Sequence, residues 1–88
     1  MKNLKIKILE VGTNGIDYDF NLIINGIEVD GSYSKDDGEL GLISYKSYDL
    51  YEQGKITSSE LEIIDNQIDK FKTIIMNDID NFIKLLNN

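Results

Sequence analysis

Residues 18–33, which read YDFNLIINGIEVDGSY, decide the fold of this chain. Apolar and polar side chains alternate on both sides of Asn25-Gly26, as they do in half-buried strands. An Asn-Gly pair suits a two-residue type I′ turn, because both central positions need a positive φ angle. The turn therefore predicts a hairpin in which Ile24 faces Ile27, and it fixes the pairing of the residues behind it.

This register gives the predicted hairpin two different faces. On one face the pairs behind the turn are Leu22 with Val29, Phe20 with Gly31 and Tyr18 with Tyr33. We expect this face to form the core, with the Phe20 ring covering the bare glycine. The opposite face, called the outer face below, carries Asp19, Asn21, Ile23, Glu28, Asp30 and Ser32. It is expected to meet water or a partner.

A first strand is predicted before the hairpin, because apolar residues alternate with lysines over residues 4–8. Leu9 and Val11 then fall out of phase, so a β-bulge near Leu9–Glu10 is expected to return them to the core face. In this antiparallel meander Lys5 and Lys7 would lie on the outer face. There they would offset part of the negative charge of the hairpin.

A fourth strand and a short helix are predicted next. Asp37-Gly38 can close another hairpin, which would make Leu40–Tyr45 a strand whose register the sequence does not fix. Ser47 is a suitable N-cap and Gly54 a suitable C′ residue, so residues 47–54 are predicted to form a helix.

The last third of the chain predicts a long helix over residues 57–86. Thr57-Ser-Ser-Glu60 matches a capping box, and apolar residues recur at helical spacing from there to Leu86. A helix of this length spans roughly 43 Å, whereas an eight-residue strand spans roughly 27 Å. We therefore expect the helix to overhang the sheet or to break near Asn77–Asp78.

Together these elements predict one α+β domain over residues 1–88. A meander of three or four antiparallel strands occupies residues 1–46, and the long helix packs on one face of the sheet. A second apolar stripe of that helix contains Ile63, Ile74 and Leu85. Either the segment Leu40–Tyr51 covers this stripe, or another chain does, for example in a homodimer.

Composition excludes many functions. The chain has 16 acidic residues and 9 basic ones, all of them lysine, with no histidine or cysteine and a net charge of -7. Catalytic triads and Cys/His zinc sites cannot be built, and the acids around Gly38 do not match calcium-loop spacing. We expect no enzyme activity, metal or cofactor. The charge disfavours nucleic acid and anionic membranes as direct ligands, and without a long apolar run we expect a cytoplasmic protein.

A basic protein surface is the partner that this charge favours. The candidate partner-binding residues are ten acids: Asp19, Glu28 and Asp30 on the hairpin, Asp36, Asp37 and Glu39 near the second turn, and Glu62, Asp65, Asp69 and Asp80 on one stripe of the long helix. Tyr45, Tyr48 and Tyr51 form a further candidate, either as flank of the core or as an interface.

In size, charge and compact αβ build, the chain resembles small acidic phage-encoded anti-defence proteins such as anti-CRISPR proteins. The resemblance implies an inhibitor that occupies a basic, nucleic-acid-binding surface, such as that of a CRISPR effector. An immunity protein or antitoxin that neutralises a basic toxin is an alternative. A self-associating structural or accessory protein, with Ile63, Ile74 and Leu85 as its seam, is another.

Overall fold

The computed structural model describes Met1 and residues 3–88 and contains a four-stranded sheet followed by three helices. The strands are β1 (Ile6–Thr13), β2 (Asp17–Ile24), β3 (Ile27–Ser34) and β4 (Glu39–Ile43), and the helices are α1 (Tyr45–Glu52), α2 (Ser58–Met76) and α3 (Ile79–Leu86). All neighbouring strands are antiparallel, in the order β1-β2-β3-β4. The predicted α+β meander is thus confirmed with a fourth strand, which spans Glu39–Ile43 and not the predicted Leu40–Tyr45, because Tyr45 already begins α1.

The β2–β3 hairpin has the predicted turn and register. Asn25 and Gly26 take positive φ angles of 49° and 86°, as a type I′ turn requires. Ile24 pairs with Ile27, and the register continues without a shift to the end of both strands. The side chains of β2 alternate between the buried face and the outer face along its whole length.

The bulge in β1 is also where the sequence predicted it, but its consequence differs. The register against β2 shifts between Ile8 and Glu10. The shift puts Val11 on the core face opposite Phe20, as predicted, whereas Leu9 is the extra residue of the bulge and has no partner on β2. Both side chains nevertheless remain exposed, Leu9 at 43% and Val11 at 37%, so neither is buried in the core. The reason is the position of β1 at the end of the sheet, where only one side of the strand has a neighbour.

One hydrophobic core joins the sheet to the helices. It contains Tyr18, Phe20, Leu22, Ile24, Val29, Tyr33 and Leu40 from the strands, and Ile68, Phe71, Ile75, Phe82 and Leu86 from α2 and α3. No described residue of the outer face belongs to this cluster. Within the part of the chain that the structure describes, no helix is long and apolar enough to cross a membrane.

Helix α1 begins earlier than predicted, because Ser44 and not Ser47 is its N-cap. The Ser44 hydroxyl accepts a hydrogen bond from the Ser47 amide and donates one of 2.7 Å to the Glu28 carbonyl of β3. The cap therefore also fastens the helix to the sheet. At the other end, Gly54 takes φ 73° in the C′ position, as predicted.

The predicted helix over residues 57–86 is not continuous. It starts as expected, with the Thr57 hydroxyl accepting from the Glu60 amide and the Glu60 carboxylate accepting from the Thr57 amide. It breaks at residues 77–78, one of the two expected outcomes for its length. Asp78 leaves helical geometry at φ -139°, and its carboxylate accepts hydrogen bonds from the Met1 ammonium and the Asn81 amide. The break allows both α2 and α3 to contribute to the core.

Candidate interaction surface

The registers of the four strands arrange the outer face in rows that cross the sheet. Three rows lie towards the end remote from the Asn25-Gly26 turn. The first contains Glu10, Asn21, Asp30 and Ile43, the second Gly12, Asp19, Ser32 and Gly41, and the third Asp17, Ser34 and Glu39. Since side chains alternate across a strand, the residues of one row point to the same side of the sheet.

The second row forms a depression in the outer face, because the residues at both of its ends are glycines. Gly12 and Gly41 lack side chains, and a Cβ built on Gly12 meets no heavy atom within 4 Å. Three surface depressions lie along this row and overlap pairwise, since Asp19, Asp30, Ser32 and Gly41 each line two of the three. We call the three rows together the central trough, with the second row as its floor.

Five carboxylates lie in the central trough: Asp19 in its floor row, and Glu10, Asp17, Asp30 and Glu39 in the rows on either side. Strand spacing of about 4.8 Å and an i to i+2 rise of about 6.7 Å put the backbone position of Asp19 about 6.7 Å from that of Asp17 and about 8 Å from those of Glu10 and Asp30. Charges of one sign at that distance repel each other. A positively charged partner would remove the repulsion, so the trough is electrostatically suited to binding one.

No lysine among the described residues forms an ion pair with this surface. None of the positions in the three rows is a lysine, and Lys7 lies opposite Ile23, nearer the Asn25-Gly26 turn. The Lys35 ammonium lies 5.6 Å from the centroid of the Tyr18 ring, which belongs to the core face. Among the described residues, the only ion pair within 4 Å joins the Met1 ammonium to Asp78. Lys5 and Lys7 thus form no ion pair with the hairpin acids.

The orientation of Asp30 is fixed by its neighbour on β2. The Asn21 side-chain amide donates to Oδ1 of Asp30 at 3.1 Å and to the Val29 carbonyl at 3.3 Å. Both donor hydrogens of the amide are used, so Asn21 is held in one position. The second oxygen of Asp30 has no hydrogen-bond donor among the described residues, and it can accept from a partner.

An aromatic side chain closes one end of the central trough. Tyr45, at the start of α1, is 58% exposed and lines a depression together with Ile43 and Gly41. Tyr48 and Tyr51 are exposed too, so the three tyrosines are not flank of the core. Tyr48 donates a 3.2 Å hydrogen bond to the Asp65 carboxylate, whose negative charge raises the pKa of the Tyr48 hydroxyl.

The other acids predicted on the sheet and its turns differ in how close they lie to the central trough. Asp36 and Asp37 are exposed in the turn before β4, and Asp37 lines the same end of the central trough as Glu39. Glu28 lies outside the trough, near the Asn25-Gly26 turn, and it lines a separate depression with Lys46 and Ile64. The structure therefore groups Asp37 with Asp19, Asp30 and Glu39, but it does not place Glu28 among them.

The predicted acidic stripe on the long helix is not one continuous surface. Glu62, Asp65 and Asp69 lie on α2, whereas Asp80 lies beyond the break on α3. Of these, Asp65 is already engaged by Tyr48. The Leu40–Tyr51 segment leaves the second stripe partly open as well, since Ile63 remains 57% exposed.

Two acids of the central trough, Glu10 and Asp17, were not among the candidates from the sequence. They join the trough only through the pairing of β1 with β2 and of β2 with β3. The predicted bulge could have identified Glu10, because it places this residue on the outer face. The row from Gly12 to Gly41 could not be predicted in this way, because it also depends on the register of β4. Among the residues that the structure describes, no group of three or more acids could hold a metal ion.

Comparison with protein families, curated proteins and solved structures found no match for this chain. The surface is therefore interpreted from its own geometry and charge.

Proposed function

We propose that this protein is a non-enzymatic binding module whose central trough occupies a basic, nucleic-acid-binding surface of another protein. The supporting observation is the grouping of five carboxylates in the trough, in rows that contain no lysine. Phage-encoded anti-defence proteins of the anti-CRISPR kind are the functional class that this proposal favours, and a CRISPR effector is the corresponding partner.

The physical basis is competition for the same positive charges. A nucleic-acid-binding surface uses lysine and arginine to neutralise phosphates, and the affinity falls steeply as salt rises. Carboxylates whose backbone positions lie about 7–8 Å apart, as strand geometry sets here, offer such a surface a similar series of negative charges. The net charge of -7 adds a long-range attraction that accelerates the encounter.

The tyrosine at the end of the trough supplies the second part of the interface. Binding energy at interfaces concentrates in a few residues, and tyrosine is enriched among them. Tyr45 presents a largely exposed ring beside Ile43 and Gly41. An arginine that reaches the adjacent Asp30 could also stack on this ring, because a guanidinium binds both carboxylates and aromatic faces.

The test is displacement of a labelled nucleic acid from its binding protein, measured by fluorescence anisotropy for a panel that includes CRISPR effectors. The trough variant combines Glu10→Gln, Asp19→Asn and Asp30→Asn. Its matched control combines Glu62→Gln, Asp69→Asn and Asp80→Asn, which changes the net charge equally on exposed helix positions.

We expect wild-type protein and control to displace the nucleic acid at low salt, and the trough variant to need about tenfold more protein, equivalent to about 1.4 kcal/mol. Raising the salt concentration should weaken direct binding of all three proteins to the nucleic-acid-binding protein. If the trough and control substitutions weakened displacement equally, binding would depend on net charge alone, and the proposed site would be wrong. Failure of the wild-type protein on every member of the panel would contradict the proposed class of partner.

A further inference from the structure

Strand β1 leaves one edge of the sheet open. It is hydrogen-bonded to β2 on one side and ends the sheet order on the other, whereas the opposite edge strand, β4, runs close to α2. Leu9 and Val11 are exposed on β1, and Ile16 is exposed just after it. Open edge strands with apolar side chains are templates for pairing with another chain.

The free hydrogen-bonding groups of this edge can be assigned from the other side of the strand. The Lys5 carbonyl accepts from the Asn25 amide at 2.9 Å, and the Lys5 amide donates to the Asn25 side chain at 2.7 Å. Lys5 therefore directs both backbone groups towards β2. Because these directions alternate along an antiparallel strand, Ile6 and Ile8 direct theirs away from β2, towards the open edge.

We propose that β1 pairs with β1 of a second copy of this chain, antiparallel and across a two-fold axis. In this pairing Ile6 lies opposite Val11 of the other copy, and Lys7 lies opposite Glu10. The two-fold axis repeats both contacts, so the interface contains two apolar pairs and two ion pairs.

The bulge is what makes these partners compatible. Ile6 pairs with Ile24 and Val11 with Phe20, so both lie on the core side of the sheet. Lys7 pairs with Ile23 and Glu10 with Asn21, so both lie on the outer face. Without the shift between Ile8 and Glu10, each proposed pair would join opposite faces of the sheet.

Neighbouring registers lose these contacts. A shift of two residues in one direction places Lys7 opposite Gly12, which removes both ion pairs. A shift of two in the other direction places Lys7, on the outer face, opposite Ile8, on the core side. Lys7 and Glu10 therefore select one register, since unlike charges directly opposite each other on a sheet are favourable and like charges are not.

The pairing would join two sheets into one of eight strands, with both outer faces on the same side. The pairing uses Glu10, which is also one of the trough carboxylates, but it leaves Asp19 and Asp30 uncovered because contact is made along the β1 edge. The two proposals can still fail separately, since Lys7→Glu tests the pairing without removing any acid of the central trough.

The test uses charge reversal at the proposed pair, with sedimentation velocity over a concentration series up to millimolar protein. Lys7→Glu alone and Glu10→Lys alone each place like charges opposite each other at both ion pairs. We expect each variant to dimerise about tenfold more weakly than wild type. Mixing the two variants restores opposite charges across the interface, and so does combining both changes in one chain.

The control variant is Lys5→Glu, which changes the net charge as Lys7→Glu does but lies opposite Gly12 in the proposed register. It should weaken the dimer less than Lys7→Glu does. Thermal unfolding of every variant separates loss of pairing from loss of fold. The proposal is overturned if wild type stays monomeric throughout the series, or if mixing the two single variants yields no heterodimer.

Discussion

Phe20 of β2 and Phe82 of α3 meet edge to face, with ring centroids 5.4 Å apart and ring planes inclined by 75°. This geometry is favourable for aromatic pairs, because the positive ring edge meets the negative ring face. Phe82 is completely buried, and it lies beyond the break that separates α3 from α2. The pair therefore connects the last helix directly to the central hairpin.

Replacing Phe82 with alanine should destabilise the protein by about 3–5 kcal/mol, because the change removes the ring contact and leaves a cavity. Urea denaturation followed by circular dichroism measures the free energy of unfolding. Tyr51→Ala, which truncates an exposed aromatic side chain on α1, should change it by only about 0.5 kcal/mol. Similar effects of both changes would show that α3 is not held by this contact.

Gly31 and Gly12 should respond differently to the same substitution. A Cβ added to Gly31 would collide with Phe20 and lie 2.7 Å from the Gly41 carbonyl oxygen, whereas one added to Gly12 has open space. We therefore expect Gly31→Ala to cost about 1–3 kcal/mol of unfolding free energy and Gly12→Ala to be nearly neutral. Thermal melts of the two variants measured side by side decide this, and a neutral Gly31→Ala would contradict the close approach of Phe20.

Ser44→Ala should be more destabilising than an ordinary loss of an N-cap. The buried Ser44 hydroxyl caps α1, donates to the Glu28 carbonyl and contacts the Ser47 hydroxyl at 2.7 Å. Losing an N-cap costs about 1 kcal/mol, and leaving buried partners unpaired costs about 1–3 kcal/mol more. Thr57→Ala, at the exposed N-cap of α2, is the matched comparison in denaturant titrations. Equal losses would argue against a sheet-anchoring role for Ser44.

Asp78 should make the folded protein sensitive to acid. The Met1 ammonium and, to a lesser extent, the Asn81 amide lower the pKa of the Asp78 carboxyl below its ordinary value of 3.8. A group with a lowered folded-state pKa stabilises the protein above the ordinary value, and this stabilisation is lost as pH falls through the folded-state pKa.

Asp78→Asn should therefore be less stable than wild type at neutral pH, and the difference between their melting temperatures should shrink as pH falls below about 4. Asp80→Asn, an exposed substitution on the same helix, serves as the control for the change of net charge. If the melting temperatures of wild type and Asp78→Asn differed by the same amount from neutral to acidic pH, the ion pair between Met1 and Asp78 would not be the source of the stabilisation.

Local chemistry in the sequence was sufficient for several parts of the fold. Asn25-Gly26 predicted the hairpin register because its turn type constrains both strands, and Thr57 with Glu60 predicted the start of α2 because a capping box is a local device. The phase change after Ile8 predicted the bulge. Each of these features depends on residues close together in the chain.

The features that were missed depend on residues that are distant in the chain. Ser44 is selected over Ser47 as the N-cap partly by its hydrogen bond to Glu28, 16 residues away. The central trough needs the registers of β1 and β4, which set Gly12 and Gly41 in one row with Asp19. The alternation of apolar and polar residues within one strand does not show which residues of the neighbouring strands lie beside them in the sheet.

The absence of lysine from the three rows of the central trough has a practical consequence for labelling. Amine-reactive dyes and cross-linkers will attach at the lysines elsewhere on the molecule, so a fluorophore introduced in this way leaves the acidic surface chemically intact. Carbodiimide reagents attack carboxylates and will modify that surface together with exposed acids elsewhere, such as Glu62 and Asp69 on α2. Loss of binding with a carbodiimide but not with an amine-reactive reagent would therefore show, without any mutation, that carboxylates and not lysines make the contact.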